Sequence, residues 1–201
     1  MVTGDCFLIF FRNFDAMKAI VLLTAMMLTC GQTRAQVVDD GLQYVPLAAA
    51  VALGNCGVEA RHPLRERIAV AATAYTALTA VAGGLKLTVS EWRPDDSDDR
   101  SFPSGHAARA FAGAELVRSE YGCPWGVYAY AVATGVSVLR VAGDHHYVHD
   151  VLAGAAVGVL SARVAYWLLP IERQVFGWDV TATPSYDYAT RTVGIALTFV
   201  P

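Results

Sequence analysis

The chain has 201 residues, of which 55% are hydrophobic and 16% are charged, whereas about 25% of the residues in ordinary soluble domains are charged. This length predicts one domain, and this composition favours a membrane protein or a strongly apolar helical core. A net charge of -3 without any run of Lys or Arg argues against nucleic acid, which needs a concentrated basic patch, but not against a small anionic substrate.

The N-terminal segment has the pattern of an export signal. Lys18 precedes the apolar run Ala19 to Leu28, and the small residues of Thr33-Arg34-Ala35 offer a cleavage site. The run is too short to cross about 30 Å of hydrocarbon comfortably, so we prefer a signal peptide to a first transmembrane helix. We therefore expect residues 1–35 to be removed, with Met17 as an alternative start. The mature protein is then expected in the cell inner membrane or periplasm, with its site facing the periplasm.

Apolar stretches separated by polar breaks predict a bundle of five to six helices. The stretch Ile68–Leu85 is at the border between a spanning helix and a buried core helix. Small residues at near-helical spacing in the last stretch, Gly154, Ala155, Gly158 and Ala162, allow a neighbouring helix to approach closely. The predicted helices are Tyr44–Gly54, Ile68–Leu85, Ser104–Tyr121, Trp125–Val141 and Val148–Leu169, with Pro170 ending the last.

The chain after these helices has a different pattern. From Asp179 to Val200 it alternates polar and apolar residues, with Val193, Ile195, Leu197 and Phe199 on one face of an extended strand. The segment Tyr186-Asp187-Tyr188 is a candidate partner strand. We therefore predict an all-α domain over residues 36–175, followed by a short extended or β-hairpin tail over residues 176–201.

The helical region contains three arginines that need polar partners and two cysteines that are either paired or free. Arg109, Arg118 and Arg163 interrupt three helices, and a charge at membrane depth needs a partner or a polar cavity. Cys56 and Cys123 could pair in an oxidising compartment, although two buried free thiols are the simpler expectation.

Three clusters lie at helix boundaries, where the helices of a bundle can converge. They are Lys86-x6-Arg93-Pro94, Pro103-Ser104-Gly105-His106 and Arg140-x5-His146-x3-Asp150. The cations have the geometry for binding phosphate, and the start of a helix at Ser104 favours an anion. Two histidines and a carboxylate supply a nucleophile, a proton donor and an orienting group.

The spacing of the third cluster favours His146 as the nucleophile. Residues four apart lie on one face of a helix, so Asp150 can reach the ring of His146 and fix its tautomer. His145 and His149 lack this spacing. The acidic run from Asp95 to Asp99 is expected to be a solvated loop over the site rather than a metal site.

These motifs resemble those of the type 2 phosphatidic acid phosphatase superfamily, which also contains bacterial acid phosphatases and vanadium haloperoxidases. The family signature is Lys-x6-Arg-Pro, Pro-Ser-Gly-His and Ser-Arg-x5-His-x3-Asp. The chain matches it except that Leu139 stands in place of the first Ser of the third motif. The matching motifs run from Lys86 to Asp150, and the helical pattern of the resemblance extends over Leu42–Pro170.

The resemblance implies a metal-independent phosphatase without a cofactor. It implies that His146, assisted by Asp150, attacks phosphorus, and that His106 protonates the leaving group and then activates water. The phosphate ligands that it implies are Lys86, Arg93, Ser104, Gly105 and Arg140. Vanadate can replace phosphate in such a site.

The expected substrate is a phosphorylated lipid or a small phosphate ester, and the apolar helices and export signal favour the lipid and a membrane location. Two other functions stay open at this point. One is a vanadium-dependent haloperoxidase, and the other is a non-catalytic phosphate-binding membrane protein. Taken singly, the cations could be interfacial charges at helix ends, and Arg140 and Asp150 could form a structural ion pair.

Overall fold

A computed structural model describes residues 40–177, together with the backbone of two strands at 180–187 and 192–199. The predicted signal peptide lies outside the described residues. The chain divides into two compact units, of which the first ends at Ala165 and the second begins at Tyr166. The domain boundaries predicted from the sequence, after residues 35 and 175, stay predictions.

Helices account for most of the described chain, and the predicted helical fold is confirmed. Proline stands in the first turn of both α1 and α4, where its missing N–H costs no helical hydrogen bond. A short 3₁₀ turn, Leu53–Cys56, follows α1. The helices are α1 (Val45–Ala52), α2 (Leu64–Thr88), α3 (Gly105–Tyr121), α4 (Cys123–Ala142) and α5 (Val148–Val175).

Two helices are longer than predicted. Helix α2 continues through Gly83 and Gly84, so Lys86 lies in its last turn. Helix α5 continues through Pro170 to Val175, and the prediction that Pro170 ends it was wrong. A proline removes one hydrogen bond to the preceding turn and crowds one carbonyl, but the N–H groups after it can still continue the helical ladder.

Helix α3 is the centre of the first unit. It begins after Ser104, whose side chain accepts a hydrogen bond from the Ala107 N–H. Helices α1, α2 and α4 all pack on it. Its buried surface consists largely of alanines, and Ala108 and Ala112 form a core cluster with Leu78 of α2.

Glycines allow α5 to lie directly against α3, as the spacing of small residues predicted. A Cβ atom on Gly154 would collide with the Ser104 carbonyl oxygen, and one on Gly158 would collide with the Ala108 carbonyl oxygen. Side chains at these two positions would therefore push α5 away from α3.

The arginines that interrupt the helices have polar partners, as expected. Arg118 and Arg163 both pair with Glu115, which is buried in α3. Arg109 donates a hydrogen bond to the Gln43 side chain at 3.0 Å. The Glu115 carboxylate offsets charge on Arg118 and Arg163, whereas the uncharged Gln43 amide gives Arg109 a hydrogen-bond partner without neutralising it.

Three helices, α2, α4 and α5, are long and apolar enough to cross a membrane. Large apolar side chains on them are exposed, including Ile68, Val127 and Leu160. Cys56 and Cys123 are free and exposed, so the expectation that these thiols are buried was wrong. They stand at the end of the 3₁₀ turn and at the first position of α4, where the chain turns outside the packed faces.

The second unit contains the end of α5 and an antiparallel hairpin, which confirms the predicted tail. Strand β1 (Val180–Asp187) pairs with β2 (Thr192–Phe199), from Val180 opposite Phe199 to Asp187 opposite Thr192. Tyr188, which was included in the predicted partner strand, lies outside the described residues.

Candidate active site

The corner between α4 and α5 holds His146 close to the end of α4. The Arg140 carbonyl oxygen accepts hydrogen bonds from the N–H groups of His145 at 3.1 Å and His146 at 3.3 Å. Asp144 adopts a left-handed conformation with φ 55°, which aspartate tolerates better than most residues. The tight corner therefore places His146 beside the helical turn that carries the buried Arg140.

Asp150 connects the start of α5 with the ring of His146. Its Oδ2 atom lies 3.6 Å from His146 Nδ1 and accepts a hydrogen bond from the Tyr147 N–H at 2.9 Å. His146 precedes α5, so the two residues do not share a regular helical face as the spacing argument assumed. Instead, Asp150 caps the first turn of the helix, and this cap turns its carboxylate toward the histidine.

Ser101, which lies outside the three sequence motifs, stands between these two side chains. Its hydroxyl is 2.5 Å from Asp150 Oδ2 and 3.3 Å from His146 Nδ1. The three side chains are almost completely buried. The Ser101 hydroxyl can therefore accept a hydrogen bond from the His146 Nδ1–H group and donate one to Asp150. This arrangement directs Nε2, the other ring nitrogen of His146, away from Ser101 and Asp150. The only sequence signal was its position just before the Pro103-Ser104-Gly105-His106 motif.

The protonation of His146 follows from its surroundings. Burial, followed by the positive charges of Arg140 and Arg93, lowers the pKa of His146 to about 4, although the Asp150 carboxylate acts in the opposite direction. The positive charge of Lys86 also lowers the pKa of His146. The imidazole is therefore neutral near pH 7 and keeps a lone pair on the nitrogen that does not face Ser101.

The last turn of α2 and the loop after it bring Lys86 and Arg93 to the same region. Arg93 forms an ion pair with Asp98 at 2.9 Å, and Lys86 Nζ donates to the Arg100 carbonyl oxygen at 2.6 Å. The Asp95 Oδ2 atom lies 3.0 Å from His145 Nδ1. The acidic run is thus tied both to a predicted phosphate ligand and to the corner that carries His146.

The Ser104-Gly105-His106 segment is joined to the same centre through its backbone. The Ser104 N–H donates to the Asp150 carbonyl oxygen at 3.0 Å. Gly105 begins α3, whose first N–H groups and positive dipole end favour an anion. The His106 ring contacts Asp40 Oδ1 through Nε2 at 2.8 Å, a contact that the sequence analysis did not predict.

Leu139, the departure from the family signature, is half-buried next to Arg140. Its carbonyl oxygen accepts the Gly143 N–H at 3.0 Å, which closes the end of α4. This hydrogen bond uses only the backbone, so the replacement of Ser by Leu preserves the corner that positions His146.

The fold and this centre define a helical protein in which the buried side chains of His146, Ser101 and Asp150 lie in contact, beside three cationic side chains. The PAP2 superfamily model matches residues 67–174, which is more than half of the chain. The chain belongs to the PAP2 superfamily, and the predicted family is confirmed.

Individual relatives agree with this assignment. Over 168 residues, the chain is 33% identical to the lipid A 1-phosphatase of Porphyromonas gingivalis, a match that covers 80% of the chain and 37% of the relative. Over 75 residues, it is 41% identical to the bacitracin transport permease protein BcrC of Bacillus licheniformis, covering 36% of the chain and 35% of the relative. The chain thus spans little more than a third of either relative's length in these matches.

A solved structure supports the fold. The LpxE protein of Aquifex aeolicus superposes with a TM-score of 0.53 at 17% sequence identity. The superposition covers 73% of the chain and 94% of that protein. The helical architecture is therefore shared despite low sequence identity.

Proposed function

We propose that this protein is a phosphatase that hydrolyses a phosphate monoester or diphosphate through a phosphohistidine on His146. The observation that carries the proposal is the buried contact of the His146 Nδ1 atom with Ser101 and Asp150. This contact leaves the Nε2 atom as the nucleophile, and the imidazole is neutral near pH 7. A binding protein would need the cations but would not need a histidine oriented in this way.

In the first step, His146 Nε2 attacks phosphorus in line with the ester oxygen. The P–N bond forms as the P–O ester bond breaks, and His106 gives its proton to the leaving alkoxide. The His146 imidazole becomes positively charged, and Asp150 stabilises it through Ser101. In the second step, His106 takes a proton from water, which attacks phosphorus and releases inorganic phosphate from His146.

Charge on the transferred phosphoryl group is stabilised by cations and helix-end amides. Lys86, Arg93 and Arg140 bind the equatorial oxygens, and Ser104 and the Gly105 N–H add hydrogen bonds. These groups supply the electrostatic stabilisation that a metal ion supplies in other phosphatases. We propose no cofactor, and we expect vanadate to inhibit by occupying the phosphate position.

The proposed substrate is a phosphorylated lipid in the cell inner membrane, hydrolysed at the periplasmic side. Three helices capable of crossing a membrane support a lipid substrate, as does similarity to a protein named lipid A 1-phosphatase. Lipid A, phosphatidate, phosphatidylglycerol phosphate and polyprenyl diphosphate are the substrates to compare, with p-nitrophenyl phosphate as the soluble reference.

Phosphate release in detergent with EDTA tests the proposal. His146→Ala is expected to reduce turnover by at least about 10⁴-fold, because removal of a catalytic nucleophile has effects of this size. His145→Ala is the matched control, since His145 is adjacent and its imidazole contacts Asp95 rather than Asp150. Substrate labelled with ³²P should label the wild-type protein in an acid-labile linkage.

Each outcome of this experiment has a defined meaning. Equal loss in the His145 and His146 variants would contradict the assignment of the nucleophile. Peroxide-dependent bromide oxidation with vanadate, in the absence of phosphate release, would favour a haloperoxidase. Folded wild-type protein that binds phosphate but hydrolyses none of the five substrates would favour a binding protein.

A further inference from the structure

We propose that Glu91, His149 and Asp150 bind a divalent transition-metal ion of the Zn²⁺ type, and that this ion inhibits the enzyme. One ligand atom from each residue lies within 4.8 Å of the others. His149 Nε2 is 2.8 Å from Glu91 Oε1 and 3.3 Å from Asp150 Oδ1. The cluster shares Asp150 with the candidate active site, whereas Glu91 and His149 have no proposed part in the reaction.

The protons available to this cluster are too few for its acceptors. His149 Nε2 carries at most one hydrogen, and it faces two carboxylates. Asp150 Oδ1 is buried, and it accepts no hydrogen bond from any residue in the described part of the chain. A cation in place of the His149 proton would accept an electron pair from the nitrogen and from both carboxylates, which would satisfy the buried oxygen.

The chemistry of the three ligands selects the class of ion. A tetrahedral Zn²⁺ ion binds nitrogen and oxygen at about 2.0–2.2 Å, which puts its ligand atoms roughly 3.3 Å apart. The separation of His149 Nε2 from Asp150 Oδ1 matches this value, the separation from Glu91 Oε1 is about 0.5 Å shorter, and all three ligand atoms lie within 4.8 Å of one another, so side-chain rotations must complete the site. An imidazole with two carboxylates suits Zn²⁺ better than Mg²⁺ or Ca²⁺, which prefer oxygen ligands only. The exposed side of His149 leaves room for a water molecule as the fourth ligand.

The ligands are held by neighbouring structure. The His149 ring stacks with Tyr147 at a centroid distance of 5.5 Å and with Phe102 at 6.2 Å. The Glu91 backbone donates to the Asp99 carbonyl oxygen and accepts from the Ser101 N–H. This positioning reduces the conformational entropy that would be lost when an ion binds.

Inhibition follows from the two oxygens of Asp150, and this step rests on the proposed function. Oδ2 faces Ser101 and His146, whereas Oδ1 faces His149. An ion on Oδ1 withdraws negative charge from the carboxylate that stabilises the positively charged His146 during phosphoryl transfer. We therefore expect bound Zn²⁺ to slow turnover and EDTA to restore it.

Metal binding can be measured independently of activity. Full-length protein in detergent is stripped with EDTA, its thiols are alkylated because Cys56 and Cys123 are exposed, and Co²⁺ is titrated by visible absorption with Zn²⁺ as competitor. Glu91→Gln and His149→Asn are each expected to weaken binding at least about tenfold, the lower end of the loss seen when a supporting group of a metal site is removed. His145→Asn is the matched control, since His145 also pairs with a carboxylate and should leave binding unchanged.

The activity assay then separates the site from the proposed function. Zn²⁺ should inhibit wild-type protein and His145→Asn, but not Glu91→Gln or His149→Asn at the same concentration. Failure of wild-type protein to bind Co²⁺ or Zn²⁺, or equal binding by all variants, would overturn the metal site. Metal binding without inhibition would overturn the inhibitory role. If no substrate is hydrolysed, the binding titration still decides whether the site exists.

Discussion

Two clusters of buried charge in the first unit differ in how their charges are balanced. The Glu115 carboxylate accepts hydrogen bonds from Arg118 and Tyr130 and pairs with Arg163, so three helices meet at one anion. Burial raises the pKa of Glu115, but the hydrogen bonds from Arg118 and Tyr130 outweigh it, and the pKa lies below its usual range. Glu115 is the buried charge of this cluster, and its two arginine partners are partly exposed to solvent, so no buried charge in it is left without a counter-charge.

The cluster around His146 has a different balance. Arg140, Arg93 and Lys86 act on His146 as positive charges, and Asp150 opposes them as a negative charge. Even with Asp98 beside Arg93, these groups leave an excess of positive charge next to the buried His146, which a phosphate group would neutralise, whereas the arginines of the Glu115 cluster are partly exposed to solvent. The comparison indicates that a buried cluster with an excess of one charge is the place to expect a ligand of the opposite charge.

Arg140→Ala, in the cluster around His146, should have the largest effect on turnover of the substitutions compared between the two clusters. We expect turnover to fall by about 10²–10³-fold, as when one preorganised donor to a transition-state oxyanion is removed. The corner should survive, because the Arg140 carbonyl and not its side chain holds His145 and His146. Steady-state phosphate release and thermal unfolding, measured on the same preparation, check both parts. A large loss of stability would mean that Arg140 is a structural residue.

Glu115→Ala should have the opposite effect, lowering stability while leaving turnover nearly unchanged. It removes the common partner of Arg118, Arg163 and Tyr130, and loss of one member of a buried charged cluster costs about 3 kcal/mol. Denaturant unfolding should show this loss, while the folded protein keeps its turnover within a few-fold. A fall in turnover comparable to that of Arg140→Ala would contradict the separation of the two clusters.

Ser101→Ala tests the residue that only the structure revealed. Loss of a hydrogen bond to a charged group corresponds to roughly a 10- to 100-fold fall in rate. We expect this fall in turnover with little change in KM, because Ser101 contacts His146 and Asp150 rather than the predicted phosphate ligands. Ser97→Ala is the control, since Ser97 lies in the exposed loop and its hydrogen bonds go to Asp95 rather than to His146 or Asp150. An unchanged rate would exclude the hydroxyl from the path between His146 and Asp150.

The contrast between Ser101 and His146 explains what the sequence can predict. Apolar runs in the sequence predict helices. The positions of residues at helix ends, such as His146 and Ser104, can be predicted from those runs. Ser101 and the Asp98–Arg93 pair depend on the path of a loop, which has no periodicity to read. Pro170 gave a wrong prediction, because the rule that proline ends a helix does not hold within α5, which continues to Val175.

Asp98→Asn should have the smallest effect and should sharpen the view of the site as a cluster with excess positive charge. The Asp98 carboxylate lies 2.9 Å from the Nε atom of Arg93, so its charge competes with an incoming phosphate for the guanidinium. A partly exposed ion pair is worth about 0.2–1 kcal/mol, so we expect the KM for phosphate esters to fall by roughly twofold to fivefold with turnover unchanged. Asp96→Asn is the matched control, because it removes the same charge from the loop and asparagine tolerates its φ of 54°. An equal effect in both variants would assign the change to the net charge of the loop, and a rise in KM for Asp98→Asn would show that Asp98 positions Arg93 instead of competing for it.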